Sequence, residues 1–393
     1  MRRCVFFASR ESAMSLNKLI YFDQAATSYP KPRTVLRAVA RGLRTAGNPG
    51  RSGHRSSVAA ALAVYGVREA LCDFFGAPHP EGVVFTQNAT HAINMGILAL
   101  LGEDTSPTAP HVLYSDLEHN AVVRPLYHLA RQGRVTAEEY PSAEGARGIK
   151  VRLRPETRLI VATHASNVCG RVLPITEIGA LAKERGIPLL VDASQSAGHI
   201  PISMMHMGID VLCIPAHKGL YGPLGAGAAI FARPKAIYPP FLLGGSGTHS
   251  LSYEMPKDLP EHFEAGSLPL PAILGLGAAL SYCKKRGVEE MGAQLLRLEE
   301  QLSLLLSDIP QITLRMPEAH GSGILSFTHA RLSPTQVAEQ LDHCGIAVRA
   351  GLHCAPVAHR TLGTLRLGTV RVGLGHTNTI KECERFARTL RNL

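Results

Sequence analysis

The chain has 393 residues, of which 45% are hydrophobic and 18% charged, so we predict a soluble globular protein of two or three domains. Its formal net charge of +10 is spread along the sequence, which argues against a nucleic-acid partner and suits anionic ligands. The eight cysteines include no C-x-x-C pair, which argues against a metal site or a disulfide framework and favours a reducing, cytoplasmic location. The longest apolar stretch, residues 92–101, is too short to span a bilayer, so no membrane partner is expected.

Residues 1–14 are left out of the predicted fold. Their Arg2-Arg3 pair precedes an apolar stretch that is too short for a signal peptide. Two explanations stay open: translation begins at Met14, or the segment is a disordered lead-in.

Apolar spacing predicts helices and strands in alternation along the chain. The first third has predicted helices over 34–46, 57–75 and 90–101, with a strand over 83–85. The middle has predicted strands over 159–163, 189–191, 211–214 and 228–231, with a helix over 176–185. The last third has predicted helices over 272–285, 288–308, 333–344 and 380–390, with strands over 323–328 and 346–349.

Short apolar strands separated by helices predict an α/β fold, in which helices flank a mostly parallel sheet. We assign this large domain to residues 15–265. The last third predicts a smaller α+β domain over residues 266–393, with residues of about 15–30 packing on it. Ligands of such sheets bind at the carboxyl ends of the strands, so we expect the functional site there.

A carboxylate and an amine follow two successive predicted strands. Asp192 comes directly after strand 189–191, and Lys218 follows the next strand, before a glycine-rich turn. Pyridoxal 5'-phosphate (PLP) chemistry needs such a pair, because the amine forms a Schiff base and the acid keeps the pyridine nitrogen protonated. Each residue alone is more often a helix cap or a solvated surface group. The pair and its flanking turn together favour a PLP site.

Three stretches resemble a known family: YFDQAATS at 21–28, VDASQSAGH at 191–199 with residues 210–225, and RVGLGHTNT at 371–379. They resemble the class V aminotransferase group of fold-type I PLP enzymes, and within it the cysteine desulfurase/selenocysteine lyase family of the SufS-like type. The resemblance covers nearly the whole chain. It implies PLP as the cofactor, a seven-stranded sheet in the large domain, and a homodimer with shared active sites.

The resemblance also implies roles for residues around the cofactor. Lys218 would be the Schiff-base lysine and Asp192 the partner of the pyridine nitrogen. Gln195 would hydrogen-bond the phenolic oxygen of PLP, and Asn167 would face both cofactor and substrate. His119 would stack on the ring and move protons.

Further residues match the phosphate-binding parts of the family pattern. Ala89 and Thr90 resemble the turn that binds phosphate at a helix N-terminus, and His217 would add a contact. Thr248 resembles the loop that reaches the phosphate bound by the partner subunit. A helix cap and a β-turn are the plain alternatives for these two segments. The chain departs from the family at Pro215, where a serine or threonine hydroxyl is expected.

Cys354 lies in the sequence GLHCA, which matches the family's persulfide-forming nucleophile. The neighbouring glycine and proline predict an exposed loop, and Arg349 or His353 would place a cation beside a thiolate. The resemblance further implies that Arg371 binds the substrate carboxylate, because a guanidinium pairs with a carboxylate through two hydrogen bonds.

The function implied is conversion of L-cysteine to L-alanine, with a persulfide on Cys354 that passes to a sulfur-acceptor protein. Two alternatives share the cofactor: a selenocysteine lyase acting on L-selenocysteine, and another class V lyase or aminotransferase. A third is a non-catalytic scaffold on the same fold, against which the intact set of site residues argues. An NAD dehydrogenase is excluded because no G-x-G-x-x-G opens a helix after a first strand.

Overall fold

The structure is a computed structural model that describes residues 19–102, 108–234, 238–316 and 320–393. The lead-in predicted at residues 1–14 lies outside these ranges, and no helix within them is long and apolar enough to cross a membrane. The described helices are α1 (Arg33–Leu43), α2 (Arg55–Phe75), α3 (Ala89–Leu101), α4 (Asn120–Arg131), α5 (Gly145–Lys150), α6 (Ile175–Glu184), α7 (Met204–Met207), α8 (Leu270–Arg286), α9 (Val288–Ser307), α10 (Pro334–His343), α11 (Pro356–Thr361) and α12 (Ile380–Arg391).

Thirteen strands are found in the same ranges, and they form three sheets. The strands are β1 (Ile20–Tyr21), β2 (Val83–Thr86), β3 (His111–Ser115), β4 (Thr136–Tyr140), β5 (Thr157–Thr163), β6 (Leu189–Asp192), β7 (Val211–Pro215), β8 (Gly227–Phe231), β9 (Ile312–Arg315), β10 (Ile324–His329), β11 (Ile346–Ala347), β12 (Arg349–Gly351) and β13 (Thr369–Gly373).

The largest sheet has seven strands in the order β2-β8-β7-β6-β5-β3-β4. Only β8 runs antiparallel to its neighbours in this sheet, and all other neighbouring strands are parallel. Its central strands β6, β7 and β8 are buried at every position, as expected for a sheet covered on both faces. The predicted mostly parallel seven-stranded sheet is therefore confirmed.

Successive residues of the central strands face two separate hydrophobic cores, because side chains alternate along a strand. Val191 and Ile214 pack with α2, α6 and α8 on one face of the sheet. Leu190 and Cys213 pack with α3 and α4 on the other face. The helices thus form a layer on each side of the sheet. Loops leave the carboxyl ends of β5, β6 and β7 between these two layers.

A smaller antiparallel sheet, in the order β12-β13-β10-β9, packs against α9, α10 and α12. Ile20 and Phe22 belong to this core, and β1 pairs with β11 in parallel. Helix α8 lies in the segment predicted to form the small domain, which starts at residue 266. Its Ile273 nevertheless packs in the core of the large sheet. The domain division at residue 265 stays a prediction.

Candidate active site

The carboxyl ends of β5, β6 and β7 border a partly enclosed cavity. Thr163 and Asp192 are partners in the parallel pairing of β5 with β6, so these two strands end side by side. The cavity is where the sheet topology places a ligand of an α/β fold. It brings together eight of the residues predicted from the sequence: Ala89, Thr90, His119, Asn167, Asp192, Gln195, His217 and Lys218.

Lys218 and Asp192 line this cavity from neighbouring strands. Asp192 is buried at the end of β6, and its Oδ1 accepts a hydrogen bond of 2.9 Å from the Ser194 amide. Lys218 follows β7 by three residues. Burial lowers the pKa of Lys218 to about 8, although the nearby Asp192 carboxylate opposes that shift. A lysine with this pKa is partly neutral at physiological pH, as a nucleophilic amine must be.

The N-terminus of α3 lies on another side of the cavity. Asn88 caps this helix by accepting a 2.9 Å hydrogen bond from the His91 amide, which leaves the Ala89 and Thr90 amides without an acceptor inside the helix. His217 lines the same cavity, and its Nδ1 is buried without a partner in the described part of the chain. Free amides at a helix N-terminus and an unpaired imidazole nitrogen suit a phosphate.

Pro215 ends β7 and also lines the cavity. It is paired with Gly227 of β8, so its backbone position is fixed by the sheet. The hydroxyl that the sequence lacks at this position is therefore missing from the wall of the cavity. The Thr86 hydroxyl donates a 3.0 Å hydrogen bond to the Asn88 carbonyl at the start of α3.

His119 stands between the cavity and an open cleft. It caps α4, because its Nδ1 accepts a 3.0 Å hydrogen bond from the Ala121 amide. That contact assigns the proton of the neutral ring to Nε2. Burial lowers the pKa of His119 to about 4, with the positive charge of Lys218 contributing, so the imidazole is neutral at physiological pH.

Glu118 is a buried site residue that the sequence reasoning missed. Its Oε1 accepts hydrogen bonds of 2.5 Å from the Ser115 hydroxyl and from the Thr163 amide. It thereby joins the ends of β3 and β5 and fixes the backbone just before His119. Burial raises the pKa of Glu118 to about 8, and nearby Asp192 adds to the shift. The sequence signal that could have identified Glu118 is its position three residues after the buried strand β3.

Arg371 lies in β13 and is buried outside the cavity. Its Nη1 donates to the Asn167 carbonyl at 3.0 Å, and its Nη2 forms a 2.9 Å ion pair with Asp23. Its Nε is buried without a partner among the described residues. Asp23 was also missed, because 348 residues separate the two partners. The role of Arg371 in binding a substrate carboxylate stays a prediction.

Cys354 lies on an exposed loop between β12 and α11. His353 and Cys354 both have positive φ angles, 48° and 56°, which non-glycine residues seldom adopt. Two contacts hold this turn: the Asn120 amide donates to the Cys354 carbonyl at 2.8 Å, and Asn167 Nδ2 donates to the His353 carbonyl at 2.7 Å. The thiol is thus presented to solvent by a fixed backbone.

The two cations proposed beside Cys354 behave differently. Arg349 Nη2 lies 3.7 Å from the Cys354 sulfur. His353 is buried and its Nε2 contacts the Thr369 hydroxyl at 3.0 Å. Burial lowers the pKa of His353 to about 2, with Arg371 contributing, so this ring is neutral. The charge beside the thiol therefore comes from Arg349, and His353 anchors the loop.

The cavity adjoins the open cleft on which the Cys354 loop lies. Thr90, His119 and Ala121 line both spaces, and Cys354 lines the cleft. Thr248 lies elsewhere, on an exposed loop, with its hydroxyl 3.2 Å from that of Ser246. Its contact with a phosphate bound by a partner subunit stays a prediction.

Comparison with known proteins gives a consistent set of matches. The model of the aminotransferase class-V family matches residues 20–386. A probable cysteine desulfurase of Methanothermobacter thermautotrophicus is 31% identical over 383 residues, which cover 95% of this chain and 94% of that protein. A probable cysteine desulfurase of Mycolicibacterium paratuberculosis is 32% identical over 95% of this chain, which spans only 55% of that protein's length.

Solved structures agree with the sequence relatives. The apo structure of a cysteine desulfurase from Thermococcus onnurineus superposes with a TM-score of 0.85 at 28% identity, over 96% of this chain and 94% of that one. The large mixed sheet with helices on both faces is accordingly the fold-type I architecture of class V aminotransferases. The chain belongs to the aminotransferase class-V family, in its cysteine desulfurase branch.

Proposed function

We propose that this enzyme is a PLP-dependent cysteine desulfurase, which converts L-cysteine to L-alanine and holds the released sulfur as a persulfide on Cys354. The observation that carries the proposal is a pair of adjacent spaces: a cavity with Lys218 and Asp192, and a cleft with the exposed Cys354. The names of the curated relatives support the same substrate.

The residues of the cavity fit PLP on chemical grounds. The Ala89 and Thr90 amides and the unpaired His217 Nδ1 would hold the phosphate. Asp192 would keep the pyridine nitrogen protonated, and Gln195 would bind the phenolic oxygen. Bound PLP supplies a protonated ring that stabilises negative charge at the α-carbon of the substrate.

Three side chains of this protein would handle the substrate before sulfur leaves. Lys218 would hold the cofactor covalently through its amine, and its freed amine would take the α-proton of the substrate as a base. Its pKa of about 8 suits a base that works near neutral pH. Arg371 would bind the carboxylate, and neutral His119 would orient the ring and move protons through Nε2.

Cys354 would carry the sulfur. Its thiolate attacks the sulfur of L-cysteine, a sulfur–sulfur bond forms, and the carbon–sulfur bond of the substrate breaks with its electron pair remaining on carbon. That carbon gains a proton, and L-alanine leaves. An acceptor thiolate then attacks the outer sulfur and regenerates the Cys354 thiolate. Arg349, 3.7 Å from the sulfur, stabilises negative charge there in both steps.

We also propose a cytoplasmic homodimer whose sites are shared through Thr248. The seven cysteines in the described ranges are free thiols, which suits a reducing compartment. Leu62 is 67% exposed on α2, and Leu251 and Tyr253 near Thr248 are fully exposed, which suits a covered apolar surface. Replacement of Thr248 by alanine should weaken cofactor binding in dimers, and unchanged binding would contradict the shared site.

The proposed function is tested by incubating the PLP-loaded protein with L-cysteine and a small thiol, and measuring L-alanine and sulfide. Equal amounts of both products are expected. A parallel reaction with L-selenocysteine measures the alternative substrate, and much faster turnover of that substrate would make the protein a selenocysteine lyase. A protein that binds no PLP and forms neither product would be a scaffold.

A further inference from the structure

A row of basic side chains lies along the helix that follows His119. Arg124, His128 and Arg131 are spaced four and three residues apart on α4, so they share one face of the helix. Arg134 lies just past the helix end, and all four side chains are exposed. The helix contains no aspartate or glutamate. We call these four residues the cationic face of α4.

The three arginines of this face have no carboxylate partner within the described ranges. Two arginines that reach the neighbouring edge strand β4 differ: Arg154 lies in the segment before β5, and Arg360 lies on α11. Arg154 pairs with Glu138, and Arg360 pairs with Glu139. Cations of that kind are neutralised inside the molecule, whereas the cationic face of α4 keeps its charge available to a partner.

The cationic face of α4 is continuous with the sulfur-bearing loop. The amide of Asn120, the first residue of α4, donates to the Cys354 carbonyl at 2.8 Å. Arg124, His128 and Arg134 line the same open cleft as Cys354. At a rise of 1.5 Å per residue, Arg124 lies about one helical turn beyond Asn120, and Arg131 lies about 16 Å from Asn120 along the helix axis.

We propose that the cationic face of α4 docks an acidic segment of the protein that accepts sulfur from Cys354. This inference rests on the proposed function, because it needs a persulfide to deliver. A macromolecular thiol that reaches Cys354 through the cleft passes Arg124, His128 and Arg134, which line it. Uncompensated positive charge raises the rate of encounter with an acidic partner and disfavours a basic one.

The probes are three synthetic peptides of equal length, each with one cysteine flanked by aspartates, by serines or by lysines. The enzyme is first loaded with persulfide from L-cysteine, and the rate of sulfur transfer to each peptide is measured. We expect the acidic peptide to react about tenfold faster than the neutral one and the basic peptide to react slowest. Raising the salt concentration should bring the three rates together.

The decisive variant is the double charge reversal Arg124→Glu with Arg131→Glu. It should lose or invert the peptide preference while alanine formation with dithiothreitol, a small neutral thiol, stays unchanged. The matched control is Lys284→Glu with Lys285→Glu, which changes net charge by the same amount at the exposed end of α8. The control should keep the preference for the acidic peptide.

The two proposals fail in distinguishable ways. If no persulfide forms, the proposed function fails before any peptide is compared. If persulfide forms but the three peptides react equally, or the Arg124→Glu, Arg131→Glu variant keeps the wild-type preference, the docking face is wrong and the desulfurase stands. Faster transfer to a thiolated oligonucleotide than to an acidic peptide of the same charge would overturn the protein acceptor in favour of nucleic acid.

Discussion

The two parts of the site differ in how the fold exposes them. Asp192 is buried at the end of a central strand, whereas Cys354 is exposed on a loop next to the edge strand of the small sheet. Burial strengthens the electrostatic interactions that tune a cofactor, and exposure lets sulfur leave for a large acceptor. Under the proposed function, one reaction is divided between a buried interior and an accessible surface.

The largest effect should come from Lys218→Ala, which removes the amine of the interior part. We expect the absorbance band of lysine-bound PLP to disappear and alanine formation to fall by at least about 10²–10⁴-fold, since both the anchor and the proton-transfer base are lost. A visible spectrum and a product assay measure the two effects. Persistence of the band would show that another residue anchors the cofactor.

Cys354→Ala separates the role of the exposed thiol in sulfur release from the role of the buried cavity in PLP binding. The variant should bind PLP with the wild-type spectrum but release no sulfur from L-cysteine, because the only proposed acceptor of that sulfur is removed. Cys344→Ala, at the other exposed cysteine in the described ranges, is the matched control and should be fully active. Sulfide production by Cys354→Ala at the wild-type rate would end its assigned role.

Pro215→Ser should increase the affinity of the buried cavity for PLP. A serine hydroxyl would add a hydrogen bond to the phosphate, and a hydrogen bond to a charged group contributes about 1.5–3 kcal/mol. We therefore expect PLP to bind about tenfold more tightly, as measured by cofactor loss during dialysis against a competing amine. Unchanged or weaker binding would show that the Ala89 and Thr90 amides and His217 already satisfy the phosphate.

The smallest effect should come from Glu118→Gln, which preserves the acceptor oxygen and removes the ionisable group. Burial raises the pKa of Glu118 to about 8, so the folded protein binds a proton that the unfolded chain releases near its ordinary pKa. This contribution to wild-type stability is complete below the unfolded pKa and falls as pH rises towards 8.

The melting temperature of Glu118→Gln relative to wild type should therefore increase by several degrees between pH 5 and pH 8. Glu118→Ala, which leaves the Ser115 hydroxyl and the Thr163 amide without their acceptor, should be less stable at every pH. A constant difference between wild type and Glu118→Gln over this range would show that Glu118 does not titrate there.

The sequence predicted the central strands well because β6, β7 and β8 are apolar at most positions. It did not predict β4, an edge strand whose Glu138 and Glu139 bind arginines rather than core. It merged β11 and β12 into one strand, although the chain changes sheets at Val348. Strand patterns report burial, so a polar edge or a change of sheet leaves little signal.

The candidate site shows the same limit. Lys218 and Asp192 could be predicted because each follows an apolar strand in a readable order, and the fold then placed both at one cavity. The ion pair of Arg371 with Asp23 could not be predicted, because the two residues are 348 positions apart in the sequence. That pairing depends on how the segment after β1 lies along β13, which no local pattern encodes.

The most direct test of a divided reaction is the intact mass of the PLP-loaded protein after it reacts with a single equivalent of L-cysteine and no other thiol. The account predicts a gain of one sulfur atom per chain, located by peptide mapping on Cys354, together with one equivalent of L-alanine. Formation of alanine with free sulfide and an unmodified Cys354 would contradict it.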